Sequence, residues 1–85
     1  MDWTKEAESK LKEILAEVPA MVRDMAEGAA REKAQEKAEE RGGKLVELDD
    51  AIAGFIAATP FPMRRFLRPV LEKKGLDPSK YNLPK

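Results

Sequence analysis

The stretch PAMVRDMAEGAAREKAQEKAEERGG, residues 19–43, decides the fold. It predicts one long helix from Pro19 to Arg41, stopped by Gly42-Gly43. Proline is tolerated at a first helical position because its missing N–H would have no partner there anyway. Glycine just past the last turn supplies the left-handed residue on which helices commonly end. The inner face reads Met21, Val22, Met25, Ala26, Ala29, Ala30, Ala34 and Ala38. Its first half is bulky and its second half is alanine only. The alanine end must either pack very closely against another helix or project as a thinly covered arm. Glu27 and Arg31 form an i,i+4 pair, and Lys33 with Glu36 and Lys37 with Glu40 form i,i+3 pairs, each worth a few tenths of a kcal/mol.

Upstream, Thr4 is a plausible N-cap, with Glu6 and Glu8 following where the helix dipole favours negative charge. Ala7, Leu11, Ile14, Leu15 and Val18 recur at spacings of three and four and give one apolar stripe. Residues 4–17 and 19–41 therefore form a helical hairpin. Downstream, residues 44–48 (with Leu45-Val46 at their centre) are extended in character but too few to make a sheet without a partner. Asp49 is the expected N-cap of a third helix over residues 49–58, with Leu48, Ile52, Phe55 and Ile56 on one face. A fourth helix is expected over residues 62–74, with Met63, Phe66, Leu67, Val70 and Leu71 inward. Pro69 should kink or split it, because the proline ring clashes with the carbonyl of Arg65. The segments 19–23 (PAMVR) and 60–64 (PFPMR) echo each other without amounting to a repeat. The fold class is all-α, in a single small domain over residues 1–85.

The 85 residues contain neither cysteine nor histidine. That removes thiolate metal sites, cysteine-held clusters, thiol nucleophiles, the usual general base near neutral pH and the commonest metal ligand. No catalytic, cofactor-binding or metal-binding residue is expected, and the chain reads as a non-enzyme. Sixteen basic residues balance 16 acidic ones, which argues against bulk nucleic-acid binding. The balance is uneven along the chain. Residues 1–43 hold 8 Lys/Arg against 11 Asp/Glu, net −3, and residues 44–85 hold 8 against 5, net +3. No apolar run approaches the ~20 residues needed to span a bilayer. The start, Met1-Asp2-Trp3-Thr4, lacks the basic and apolar blocks of a signal peptide. A cytoplasmic location is the expectation.

Trp3-Thr4, Glu6-Ala7, Leu11, Val18-Pro19, Met21-Val22-Arg23, Gly42 and Leu45-Val46-Glu47-Leu48 before Asp49 form an unusual combination. In it, residues 3–57 resemble the small C-terminal domain of light-independent protochlorophyllide reductase (the PCP_red family), here as a free-standing small protein. Two spacings, Leu11 to Val18 and Pro19 to Gly42, are each about four residues, roughly one helical turn, longer than in that family. The basic helix and tail over residues 60–85 have no counterpart there. The resemblance implies a non-catalytic accessory module associating with an iron–sulfur, nitrogenase-like redox enzyme or with a tetrapyrrole. Any cluster would belong to the partner.

The residues expected to meet a protein partner or an anionic group are Arg23, Arg64, Arg65, Phe66 and Arg68. Arginine suits bidentate binding of carboxylates, and the segment from Pro60 to Lys74 interleaves cations with Phe61, Met63, Phe66 and Leu67. The bland reading of that segment is a solvated basic face over a core-packing stripe. For Trp3 the simple reading is a core or hairpin-capping residue, and for Met21 and Met25 it is core; Asp49 and Asp50 read as capping residues. The alternative to an interaction module is a small histone-like, DNA-binding dimer, suggested by the order helix, glycine turn, Leu45-Val46 strand and helix.

Overall fold

The computed structural model describes residues 1–81 and Leu83. The rest of the tail expected over 60–85, positions 82, 84 and 85, lies outside the described residues. The fold is all-α. Helix α1 spans Lys5–Leu15, α2 Ala20–Glu40, α3 Leu48–Ala58 and α4 Leu67–Lys73, with 3-10 turns at Phe61–Phe66 and Pro78–Tyr81. Strands β1, Asp2–Trp3, and β2, Leu45–Val46, pair in parallel, Asp2 opposite Leu45 and Trp3 opposite Val46. The extended connector thus finds its partner at the other end of the hairpin. The Thr4 N–H continues the ladder to the Val46 carbonyl at 3.0 Å.

Local chemistry accounts for the helix ends. The Ala7 N–H donates to Thr4 Oγ1 at 3.1 Å, satisfying one of the donors that a helix start leaves free. At the far end of α2, Gly42 takes φ 74°, a left-handed conformation that glycine adopts without a Cβ penalty. Gly43 then donates to Ala38 at 2.8 Å and Gly42 to Glu39 at 3.0 Å, the paired bonds of a Schellman ending. Helix α3 begins one residue earlier than expected, so Asp49 is not its N-cap. Glu47 holds that position, and its N–H is taken by the Asp50 carboxylate at 2.9 Å, reaching back from the third helical residue.

Helix α3 is the central element, with Ala51, Ile52, Gly54, Phe55 and Ile56 buried. Leu11 and Ile14 of α1, Ile52 and Phe55 of α3, and Leu71 of α4 form the main core, closed from the tail by Leu83. A second cluster joins Ala7, Ala34, Ala38, Val46 and Ala51 beneath Trp3. Here α2 and α3 approach so closely that a Cβ on Gly54 would lie 2.5 Å from the Ala34 Cα and 2.8 Å from its Cβ. The alanine half of α2 is therefore its buried face, at Ala30, Ala34 and Ala38. The expectation that Met21, Val22 and Met25 point inward is corrected: Met21 is 96% and Met25 77% exposed, and Val22 is exposed too. Bulky side chains cannot enter a helix contact this close, so the alanines occupy it.

The single fourth helix expected over 62–74 is in fact a 3-10 turn followed by α4. Pro69 lies in the first turn of α4, where its missing N–H leaves no intrahelical bond unmade. Winding at about three residues per turn changes which side chains face in. Leu71 is buried and Leu67 and Val70 half-buried, but Met63 and Phe66, expected inside, are about half exposed.

Candidate docking surface

The arginines at the two proline corners are committed to backbone. Arg23 Nε donates to the Leu15 carbonyl at 2.9 Å and Nη2 to the Val18 carbonyl at 2.8 Å. These are carbonyls at and just beyond the end of α1, where a helix leaves its last acceptors free. Arg64 does the same for α3, with Nε on the Thr59 carbonyl at 3.0 Å. The prolines match as well: Pro19 has φ −53° and ψ 137°, Pro60 φ −53° and ψ 140°. Each proline carbonyl accepts from the residue three ahead, Val22 at 3.1 Å and Met63 at 2.9 Å. The sequence echo is thus one corner used twice.

Between the corners lies an open groove of about 390 Å³, its walls almost wholly apolar. One wall carries Val18, Pro19, Val22 and Ala26; the other carries Pro60, Met63, Phe66, Leu67 and Val70; Ile14, Phe55 and Ala58 lie among its lining. Of the five residues expected to make contacts, Phe66 lines the groove, and Arg65 sits 5.1 Å over its ring. No hydrogen bond or ion pair engages Arg65 among the described residues. Arg68 reaches the Leu83 carbonyl at 3.3 Å, while its Nε is buried without a partner there. Arg64, Arg65, Phe66 and Arg68 share one segment, whereas Arg23 stands at the opposite corner as a helix-end cap. Met63 belongs to the segment expected to meet a partner, whereas Val18, Ala26 and Val70 were read only as inward-facing helix positions and turn out to line the groove as well.

The other charged side chains mostly neutralise each other. Arg31 bridges Glu8 at 2.7 Å and Glu27 at 2.9 Å and lies 4.8 Å over the Trp3 ring. Its hydrogen bonds hold the Glu8 carboxyl below the usual carboxylate range. Arg41 donates through Nε to both Asp50 oxygens, at 2.9 and 3.1 Å, and pairs with Glu47 at 2.9 Å. The Asp50 carboxyl is lowered chiefly by Arg41, with help from the Glu47 N–H. In the polar hollow that these residues line beside Thr4, Glu6 and Lys80, Arg41 is paired with Glu47 and Asp50, and Lys80 with Asp49. Tyr81 donates to Asp49 at 2.8 Å, and burial, followed by that carboxylate, pushes its phenol well above the usual range. Among the described residues no group of three or more Asp or Glu could hold a metal ion, and no helix is long and apolar enough to cross a membrane.

A family model described as a protein of unknown function (DUF2621) matches residues 1–83. No curated protein and no solved structure matches the chain. The family match corrects the expected kinship with the protochlorophyllide reductase C-terminal domain. The residues that carried the likeness have architectural roles instead: Trp3 lies under Arg31, Pro19 opens α2 and Arg23 closes α1. The redox-enzyme and tetrapyrrole expectations rested on that likeness alone and are not carried further.

Proposed function

We propose that this chain, which belongs to the DUF2621 family, is a non-catalytic interaction module that seats an apolar segment of a protein chain in the groove between its two proline corners. One observation carries the reading. The groove lining exposes Val22, Met63 and Phe66, and their sequence neighbours Met21, Met25 and Phe61 are exposed as well. Isolated apolar side chains at a surface are ordinary, but contiguous patches mark contact sites. Methionine suits such a site because its unbranched side chain adapts to varied partners. The arginine-capped corners hold both walls in place, which lowers the ordering cost of binding.

The test is a photo-crosslinking residue placed at Met63 or Met21, with Lys33 on the far half of α2 as control, in cells of the source organism. The expected result is discrete protein adducts from both methionine positions, lost when Phe66→Glu is added. Equal or absent adducts at Met63 and Lys33 would remove the reading.

A further inference from the structure

We infer that the protein seated in the groove is a second copy of this chain, held by a reciprocal two-fold contact; this rests on the docking role proposed above. The first half of α2 presents a methionine stripe, Met21 and Met25 with Ala29 following at helical spacing, all exposed. Asp24 and Glu32 flank that stripe, and neither makes an ion pair or side-chain hydrogen bond among the described residues. The groove has the opposite character. Arg65, also unpaired among the described residues, stands over Phe66 at its edge, and Glu17, the one charged residue of the lining, is neutralised by Lys73 at 2.9 Å.

One chain thus carries an acid-flanked apolar knob and, on an adjoining face, an apolar slot with the cation Arg65 at its edge. A two-fold axis sets each knob into the other copy's slot, the self-complementarity that an isologous dimer requires. Opposite charges at the rim steer the encounter and fix its register. The area is sufficient. Met21, Val22, Met25, Phe61, Met63 and Phe66 each leave between 44% and 96% of their surface in water. At about 200 Å² per large side chain this amounts to roughly 750 Å², against about 800 Å² per partner in a standard interface.

The experiment is sedimentation equilibrium on the full chain from about 10 μM to 1 mM, a range that spans weak to moderate dimers. The expected result is a monomer–dimer equilibrium. Met25→Glu and Phe66→Glu should each weaken it by more than about tenfold, on the order of 1.4 kcal/mol, while Lys37→Glu leaves it unchanged. Both altered residues are more than half exposed, and melting curves establish that the variants fold. A mixture of the two variants should dimerise more readily than either alone, because one of its two knob-and-slot contacts is then intact. A monomer at 1 mM, an open-ended polymer, a dimer indifferent to both substitutions, or a mixture no better than its parts would each overturn the inference. If the chain stays monomeric while Met63 still crosslinks to a different protein, the docking role stands and self-association alone fails. If Met63 crosslinks to nothing, both fail.

Discussion

Replacing glycine by alanine at one position in α2 and one in α3 should move stability in opposite directions. Gly28 lies in α2 with nothing within 4 Å of where a Cβ would stand. Alanine there removes backbone entropy from the unfolded chain and favours the helix, a gain of about 0.5–1 kcal/mol. Gly54 lies in α3 and would receive the same helix gain, yet its new Cβ would stand 2.5 Å from the Ala34 Cα. Ordinary contact between such carbons needs about 3.5–4 Å, so the helices must separate by roughly 1 Å along their closest line. The neighbouring atom is backbone and cannot swing aside. Overpacking of this kind costs about 1–3 kcal/mol, more than the helix gain in most of that range. It also loosens Ala30, Ala34 and Ala38 together. A chain of this size has about 4–13 kcal/mol of total stability, and 1 kcal/mol shifts its melting point by about 4–8 °C. Thermal and urea melts followed by circular dichroism should therefore show Gly28→Ala a few degrees above the parent and Gly54→Ala about 5–10 °C below it. If Gly54→Ala melts at or above the parent, the close approach of α2 and α3 is wrong. A common sign for both would show that propensity, not packing, governs the pair.

Arg23→Met should cost about 1–3 kcal/mol, because the Leu15 and Val18 carbonyls lose their donors; Arg23→Lys should recover only part of it, since one ammonium cannot reproduce the fork. Equal melting points for the parent and Arg23→Met would refute the capping role. Acid should unfold the chain through Glu8 and Asp50, whose carboxyls sit below their ordinary values of 4.5 and 3.8. For a lowered folded value the stabilisation is complete above the ordinary value and is lost as pH falls through the folded one. The melting point should accordingly be level above about pH 5.5, at least a unit above both ordinary values, and decline below it. Glu8→Gln with Asp50→Asn should start lower and decline less steeply, and parallel acid limbs would exclude these two carboxylates as the cause.

Much of the fold was legible because it is set by local chemistry. Thr4, the Gly42-Gly43 stop and the stripe from Ala7 to Leu15 each act within a turn or two, and each is found where the spacing put it. What periodicity could not supply was the side of α2 that faces inward. Met21, Val22 and Met25 satisfy the same spacing as a core face, and only the tightness of the Ala34–Gly54 crossing decides for the alanines. The cap of α3 was misplaced by two positions for a similar reason: adjacent aspartates both suit a helix start, but Glu47 is the N-cap and Asp50, engaged by Arg41, reaches back to it from the third helical residue. On the docking surface, Phe66 was found from composition, but its neighbours Val18, Val22 and Ala26 come from a distant segment that only the fold brings beside it. Arg23 could not be read correctly from type alone, because the carbonyls it serves lie up to eight residues behind it.

The two proline corners also bear on the order in which the molecule assembles. Each closes a loop of only five to eight residues, Arg23 onto Val18 and Leu15, Arg64 onto Thr59. The strand pair joins Trp3 to Val46, 43 positions apart. Since each doubling of a loop costs about 0.6 kcal/mol, bringing the strands together costs roughly 1.5 kcal/mol more chain entropy than closing a corner. The corners should therefore be present in the earliest compact states and the strand pair among the last elements to join. In native-state hydrogen exchange, the Thr4 amide that bonds to Val46 should be released by smaller openings than those that free the buried α3 amides. The groove walls would then be set at their angle before the far end of the molecule has closed.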